Sequence, residues 1–339
     1  MPTPEATPLD STLPLRSLGR NGPQVTRLGL GLAALGRPSY HNLGHGSDVG
    51  EVRTVDALKA RCHEVLDAAW EQGVRYLDVA RSYGLGESFL ADWLDARGLT
   101  RDAVTVGSKW GYVYTAGWRD DADVHEVKDH SVANLLKQQD ESWALLSPWL
   151  ATYSIHSATL ESGVLDDDAV LDALARLRSE RGLRVGLTVT GPNQADVVRR
   201  AIALRGGGFF DVVQATCNLL EPSVLPALIE AHDAGLGVVV KESLANGRLT
   251  PRAPHGPTRD LLFENATQLD TTPDALAIAW LLEHDAIDVV LSGAATAEQI
   301  QSHARATQLR LDDATRAALG TLATPADDYW AARRALPWT

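Results

Sequence analysis

Apolar residues fall along this chain in a repeating two-part rhythm. A short apolar run ending in polar residues is followed each time by a longer stretch with apolar positions near i, i+3, i+4 and i+7, the spacing of one helix face. Eight runs read as strands: 25–32, 74–80, 103–109, 151–156, 183–189, 211–216, 236–242 and 287–293. Helical spacing fills 57–72, 87–97, 131–146, 167–180, 193–204, 222–234, 272–284 and 296–306. Asp166, Pro192, Pro222 and Pro273 open several of these as caps or first-turn residues. The strands lack strict alternation, as expected of parallel strands covered on both faces.

Eight alternating strand–helix units are what a closed (β/α)8 barrel requires. An open doubly wound sheet is the alternative, but the even spacing, with no linker of changed composition, favours one barrel domain over the whole chain. Ahead of the first unit, two short apolar runs flank Arg20-Asn21-Gly22-Pro23, the turn signal of a β-hairpin. Residues 1–14 read as a disordered lead, and 323–339 as a tail that covers one end of the barrel. Three connections are longer than a barrel needs: 36–55, 110–130 and 246–271. The last two follow strand C-termini, the face where barrel enzymes keep their sites.

Composition narrows the class. With 45% hydrophobic and 22% charged residues the chain is globular. Its net charge of −13 argues against nucleic acid or an anionic membrane as partner. No apolar run approaches the roughly 20 residues that span a bilayer, and the first residues lack the basic start and apolar core of a signal peptide. The only two cysteines, Cys62 and Cys217, lie far apart without CxxC spacing. That argues against a disulfide framework and a cysteine-held metal, and for a reducing cytoplasm. The sequence specifies no oligomeric state.

Four polar residues close, or directly follow, apolar strands: Asp78 and Tyr83 in LDVARSYG, Lys109 in GSKWG and His156 in YSIHS. A charge at the end of an apolar strand costs free energy unless it is paired. The simplest reading is an Asp78–Lys109 ion pair plugging the barrel, with Tyr83 and His156 as satisfied neighbours. Their joint arrival at the catalytic face of a barrel points to a site.

In order and spacing these residues resemble the aldo-keto reductase family. LDVARSYGLGE, SKWG and SIHS are similar to three of its segments, and the likeness runs from about residue 15 to 322. The resemblance implies reduction of a small-molecule carbonyl, an aldehyde or ketone, sugars and natural products included. Tyr83 would be the acid, Lys109 and Asp78 its tuners, and His156 a neutral donor orienting the carbonyl. A phenol titrates near 10, and a nearby lysine lowers that by about 1–3 units.

The same resemblance implies NADP(H), in preference to NAD(H), extended across the barrel mouth. Gln214 would grip the carboxamide, with a core glutamine as the plain alternative. Thr188, Ser243 and Leu244 would line the cofactor, and SGAATAEQIQSH, with Gly293, Ala295, Thr296 and Gln299, would cradle the adenosine phosphate at a helix N-terminus. Three departures stand out. The cations that hold a 2′-phosphate are missing near Gly293 and Gln299, leaving Arg248, Arg252 or Arg259 to substitute. Glu242 takes the place of an aromatic that stacks on nicotinamide. Thr188-Val189 replaces a Ser-Asn pair. Trp110, Tyr112, Tyr114 and Trp118 on the loop after Lys109, with Trp330 and Trp338 in the tail, would line a substrate pocket or else staple the loops to the rim.

Other readings of the barrel are a nicotinamide-sensing regulatory subunit with negligible turnover, and a hydrolase or isomerase built on Asp78 and His156. The loose G-x-G-x-x-A match at Gly29–Ala34 is set aside, because Leu35-Gly36-Arg37-Pro38 follows it instead of a helix. His41 and His45 fall in a Gly-rich loop and read as solvated.

Overall fold

The computed structural model describes residues 13–339; the predicted lead falls almost entirely outside them. The chain opens with β1 (Leu15–Ser17) and β2 (Gln24–Thr26), an antiparallel hairpin, followed by β3 (Leu28–Gly31). The hairpin joins through a six-residue connection in which Gly19 and Asn21 take positive φ, wider than a two-residue Asn-Gly turn. Two helices come next, α1 (His45–Val49) and α2 (Val55–Glu71), then β4 (Tyr76–Asp78), α3 (Gly86–Ala96) and β5 (Thr105–Trp110). A small antiparallel ribbon, β6 (Tyr112–Tyr114) with β7 (Glu126–Lys128), leads to α4 (Val132–Leu146) and β8 (Leu150–Ala158). Alternation resumes with α5 (Asp168–Arg181), β9 (Arg184–Val189), α6 (Gln194–Ala203), β10 (Val212–Thr216), α7 (Leu225–Asp233) and β11 (Gly237–Lys241). The chain continues with α8 (Pro257–Gln268), α9 (Pro273–Leu282), β12 (Val289–Ser292), α10 (Ala297–Ala304), α11 (Asp313–Gly320) and α12 (Ala326–Arg334).

Strands β3, β4, β5, β8, β9, β10, β11 and β12 pair in parallel and close into a barrel, so the open-sheet alternative falls. All eight expected strands and eight expected helices form. Helix starts follow local chemistry: Thr54, Ser131, Asp167, Thr272 and Thr296 each accept a backbone N–H of the first turn. Asp167, not Asp166, therefore caps α5, and Pro273 takes the first helical position after Thr272.

The barrel interior is filled with side chains. Tyr76 projects into it, and Gly29 and Gly107 leave it room: a Cβ on either would press on the tyrosine at 2.9 and 2.8 Å. Leu18 and Val25 from the hairpin pack onto Tyr76, Val212, Val239 and Val289, and so close the N-terminal end. The site must then open at the other end. There all three long connections converge, including 36–55, which the pattern alone did not assign to this face.

Candidate active site

Strand register brings the four polar residues together. Asp78 ends β4 opposite Gly107, Lys109 stands one residue from the end of β5 opposite Ser154, and His156 lies two residues further along β8. Lys109 Nζ donates to Asp78 Oδ1 at 2.5 Å and to the Val79 carbonyl at 2.7 Å. The other carboxylate oxygen accepts from Gln214 Nε2 at 2.9 Å. A buried charge is tolerated only when paired and hydrogen-bonded, and this one is both. The ion pair of the simplest reading is thus real.

Tyr83 stands directly against it, with Lys109 Nζ 5.0 Å from the phenol ring centre. The Tyr83 and His156 rings meet edge to face, centres 5.5 Å apart. Burial, with the nearby Lys109 and Lys241 charges, holds His156 well below its ordinary titration range, so the imidazole is neutral. Burial and the Asp78 carboxylate push the Tyr83 phenol well above its ordinary value, against the pull of Arg37. The lowering expected from Lys109 is therefore outweighed, and the phenol keeps its proton at neutral pH.

Asp78, Tyr83, His156 and Gln214, with Lys109 behind them, form one wall of a cavity of about 680 Å³ whose lining also includes Gln299 at the start of α10. Of the residues expected to hold a cofactor, Gln214, Ser243, Leu244, Gly293 and Gln299 line it. Thr188 is fully buried behind the wall and accepts from the Ser157 N–H, while Thr190 takes its place at the surface. Ala295 is buried and Thr296 caps α10; neither lines the cavity. Arg248 lies over the Tyr329 ring and also stands outside the lining.

Of the aromatics expected on the loop after Lys109 only Tyr112 lines the cavity, 5.0 Å from the His156 ring. Trp110 is buried core, edge-on to His130. Trp118 donates to the Arg53 carbonyl and packs on Phe89, stapling its loop. Trp330 is buried too, so of the two tail tryptophans only Trp338 reaches the cavity, stacked on His125 at 4.3 Å.

Several lining residues carried no signal in the sequence. Arg37, nearly fully buried, lies 5.2 Å from the Tyr83 ring and 4.8 Å from Trp338, and pairs with Glu126 at 2.8 Å. Glu242, where an aromatic was missing, also lines the cavity and is gripped by Arg333 of α12 at 2.8 and 3.0 Å. Burial alone would raise that carboxyl, but Arg333 and Lys241 hold it well below the usual range. His41 is not a solvated loop residue: burial, with Arg333 beside it, drives it down to about 3. His45 is completely buried. Tyr40 and Thr339 exchange two backbone hydrogen bonds, which lays the tail over the mouth of the barrel.

An elongated cavity of this size suits a ligand with an extended body. Small residues on its wall, Gly31, Ala33, Ala34 and Gly293, let backbone and ligand approach closely, and a Cβ at Gly293 would meet nothing. The residues present therefore fit a nicotinamide dinucleotide. The chain is similar to known proteins over most of its length. A holo-form aldo-keto reductase of Bacillus halodurans, AKR11C1, superposes with a TM-score of 0.71 at 22% identity, covering 93% of this chain and 97% of that one. Pyridoxal 4-dehydrogenase of Microbacterium luteolum is 25% identical over 85% of this chain and 91% of its own length. The NADH-specific methylglyoxal reductase of Escherichia coli is 23% identical over 88% and 94%. The family model described as "Aldo/keto reductase family" matches residues 27–322, nearly the whole barrel together with its tetrad, and the chain therefore belongs to that family of NAD(P)H-dependent oxidoreductases.

Proposed function

We propose that this protein reduces an aldehyde or ketone, with Tyr83 as the proton donor. The observation that carries this reading is the placement of Tyr83 and His156 side by side on the cavity wall, against the buried Lys109–Asp78 pair. The bound cofactor supplies the hydride. His156, neutral, donates an N–H to the carbonyl oxygen and fixes its direction. Tyr83 delivers its proton as negative charge grows on that oxygen. An alkoxide is a stronger base than an ordinary phenolate, so the charge growing on the oxygen draws the proton from the phenol. Lys109, kept charged by Asp78, and Arg37 on the ring's other flank stabilise the phenolate that remains.

The carbonyl end of the cavity combines the aromatic faces of Tyr40, Tyr112 and Trp338 with the Arg37–Glu126 and Arg333–Glu242 pairs. Flat apolar faces beside fixed charged donors and acceptors suit a substrate with both a ring face and hydroxyls, such as a sugar or polyol-like natural product. The two unpaired thiols, Cys62 and Cys217, support a reducing cytoplasm as its compartment.

The test is a screen of aldehydes, ketones and aldoses with NADH and with NADPH, followed by Tyr83→Phe against the best substrate. Turnover should fall about 10²–10⁴-fold while cofactor affinity stays within a factor of two or so. Full activity in that variant removes Tyr83 from the acid role. Tight cofactor binding with no carbonyl turned over would instead make the chain a nicotinamide-sensing subunit.

A further inference from the structure

The end of the cavity away from Tyr83 holds a three-way clasp. Asp48, on α1 within the long connection after β3, reaches two residues of the wall. Arg252 Nη1 donates to Asp48 Oδ2 at 2.6 Å and Arg252 Nη2 donates to Oδ1, a bidentate pair. Gln299 Nε2 donates to Oδ2 at 3.1 Å. Gln299 Oε1 in turn accepts the Ala295 N–H at 2.8 Å. The Asp48 carboxylate is only 4% exposed, so its charge is poorly screened. One residue before Gln299, exposed Glu298 puts a carboxylate directly on the stretch of wall that Asp48 backs through Arg252 and Gln299.

We propose that this clasp selects a dinucleotide without a 2′-phosphate, with Asp48 as the residue that makes the protein prefer NAD(H) to NADP(H). The inference rests on the nicotinamide-dependent reading above. A phosphate monoester carries about −1.5 to −2 charges at neutral pH and needs a cation with free N–H groups. Described arginines that line the cavity are Arg37, Arg252, Arg333 and Arg334. Arg37 stands beside Tyr83 and Arg333 is held by Glu242, with Arg334 following it on α12; Arg252 is the arginine that shares Asp48 with Gln299. Asp48 already neutralises it. Arg248 lies over Tyr329 and Arg259 over Phe263, both off the wall. The three arginines that the sequence offered as substitutes for the missing 2′-phosphate cations are thus neutralised or off the wall.

A ribose hydroxyl needs no cation: it can donate to the exposed Glu298 carboxylate on the wall, whereas a phosphate would be repelled by that charge and by Asp48 held behind Arg252 and Gln299.

The experiment is equilibrium titration of the full chain with NADH and with NADPH, read by quenching of tryptophan fluorescence, without any substrate. NADH should bind at least about tenfold tighter, a difference of about 1.4 kcal/mol. Asp48→Asn releases Arg252 and should tighten NADPH about tenfold while leaving NADH within about twofold, moving the ratio toward one. Glu298→Gln changes only an exposed side chain and so folds; it should tighten NADPH roughly twofold to threefold. NADPH binding as tightly as NADH to the unaltered protein overturns the proposal. So does an NADH:NADPH ratio that neither variant moves, with melting curves confirming that both are folded. Binding of neither dinucleotide would instead remove the nicotinamide reading itself, and this proposal with it.

Discussion

Replacing Lys109 by Met leaves the Asp78 carboxylate buried without its cation. The two side chains are 2% and 6% exposed and meet at 2.5 Å, so little water is at hand to take over. Breaking a buried pair from one side costs about 3–5 kcal/mol. Unfolding entropy of about 2.1 cal/mol/K per residue gives, for 339 residues, about 0.7 kcal/mol/K. The melting point should therefore drop by about 4–7 °C. In the double variant Asp78→Asn/Lys109→Met no charge is left to strand, and the introduced amide still offers an oxygen to Gln214. It should recover about 2–3 kcal/mol of the summed single-variant losses. Urea unfolding followed by tryptophan fluorescence measures all three, and carbonyl turnover should collapse in each. Single-variant costs below about 1 kcal/mol, or costs that simply add, would show that water screens the pair and that Lys109 is not held charged in a dry site.

Three further outcomes follow from the same physics. His45 is fully buried and pushed by burial down to about 4, and His156 is likewise depressed. The unfolded chain takes up these protons below about 6.5 and the folded chain does not, so stability is complete above that pH and is lost as pH falls toward 4. At about 1.36 kcal/mol per pH unit each histidine can remove up to about 2 kcal/mol by pH 5; urea midpoints that stay flat from pH 7 to 5 would contradict it. Gly36→Ala drives a Cβ into the Tyr83 carbonyl and the Gly86 backbone, which should cost about 1–3 kcal/mol and lower turnover by shifting Tyr83; an unchanged melting point and kcat would show that the turn yields freely. Arg333→Met leaves the Glu242 carboxylate, which is 8% exposed, with only the Lys241 ammonium at 4.0 Å, and should destabilise the fold by up to about 3–5 kcal/mol, a loss that adding Glu242→Gln largely restores in the same assay.

Much of the barrel is legible along the chain because its instructions are local. Each strand is a run of apolar residues that must be covered on both faces, and each helix repeats its apolar face every turn. Asp78, Lys109 and His156 could be found because each interrupts such a run at its end. The loops carry no such period. Trp110 and Trp118 looked equivalent to Tyr112 in sequence, yet one is core, one is a staple, and only Tyr112 faces the cavity.

By itself, then, the sequence determined the number and order of the strand–helix units, the closure they require, and the four polar residues at strand ends. The tertiary structure alone decided which loops meet over the barrel mouth. Asp48 with Arg252, Glu242 with Arg333, and Arg37 with Glu126 are partners drawn from distant connections, and no periodicity along the chain encodes such meetings. It also decided the chemistry of Tyr83. A lysine nearby argues for a lowered pKa, but the outcome depends on how much water the fold removes and where it leaves the Asp78 charge, and those are properties of the packed molecule.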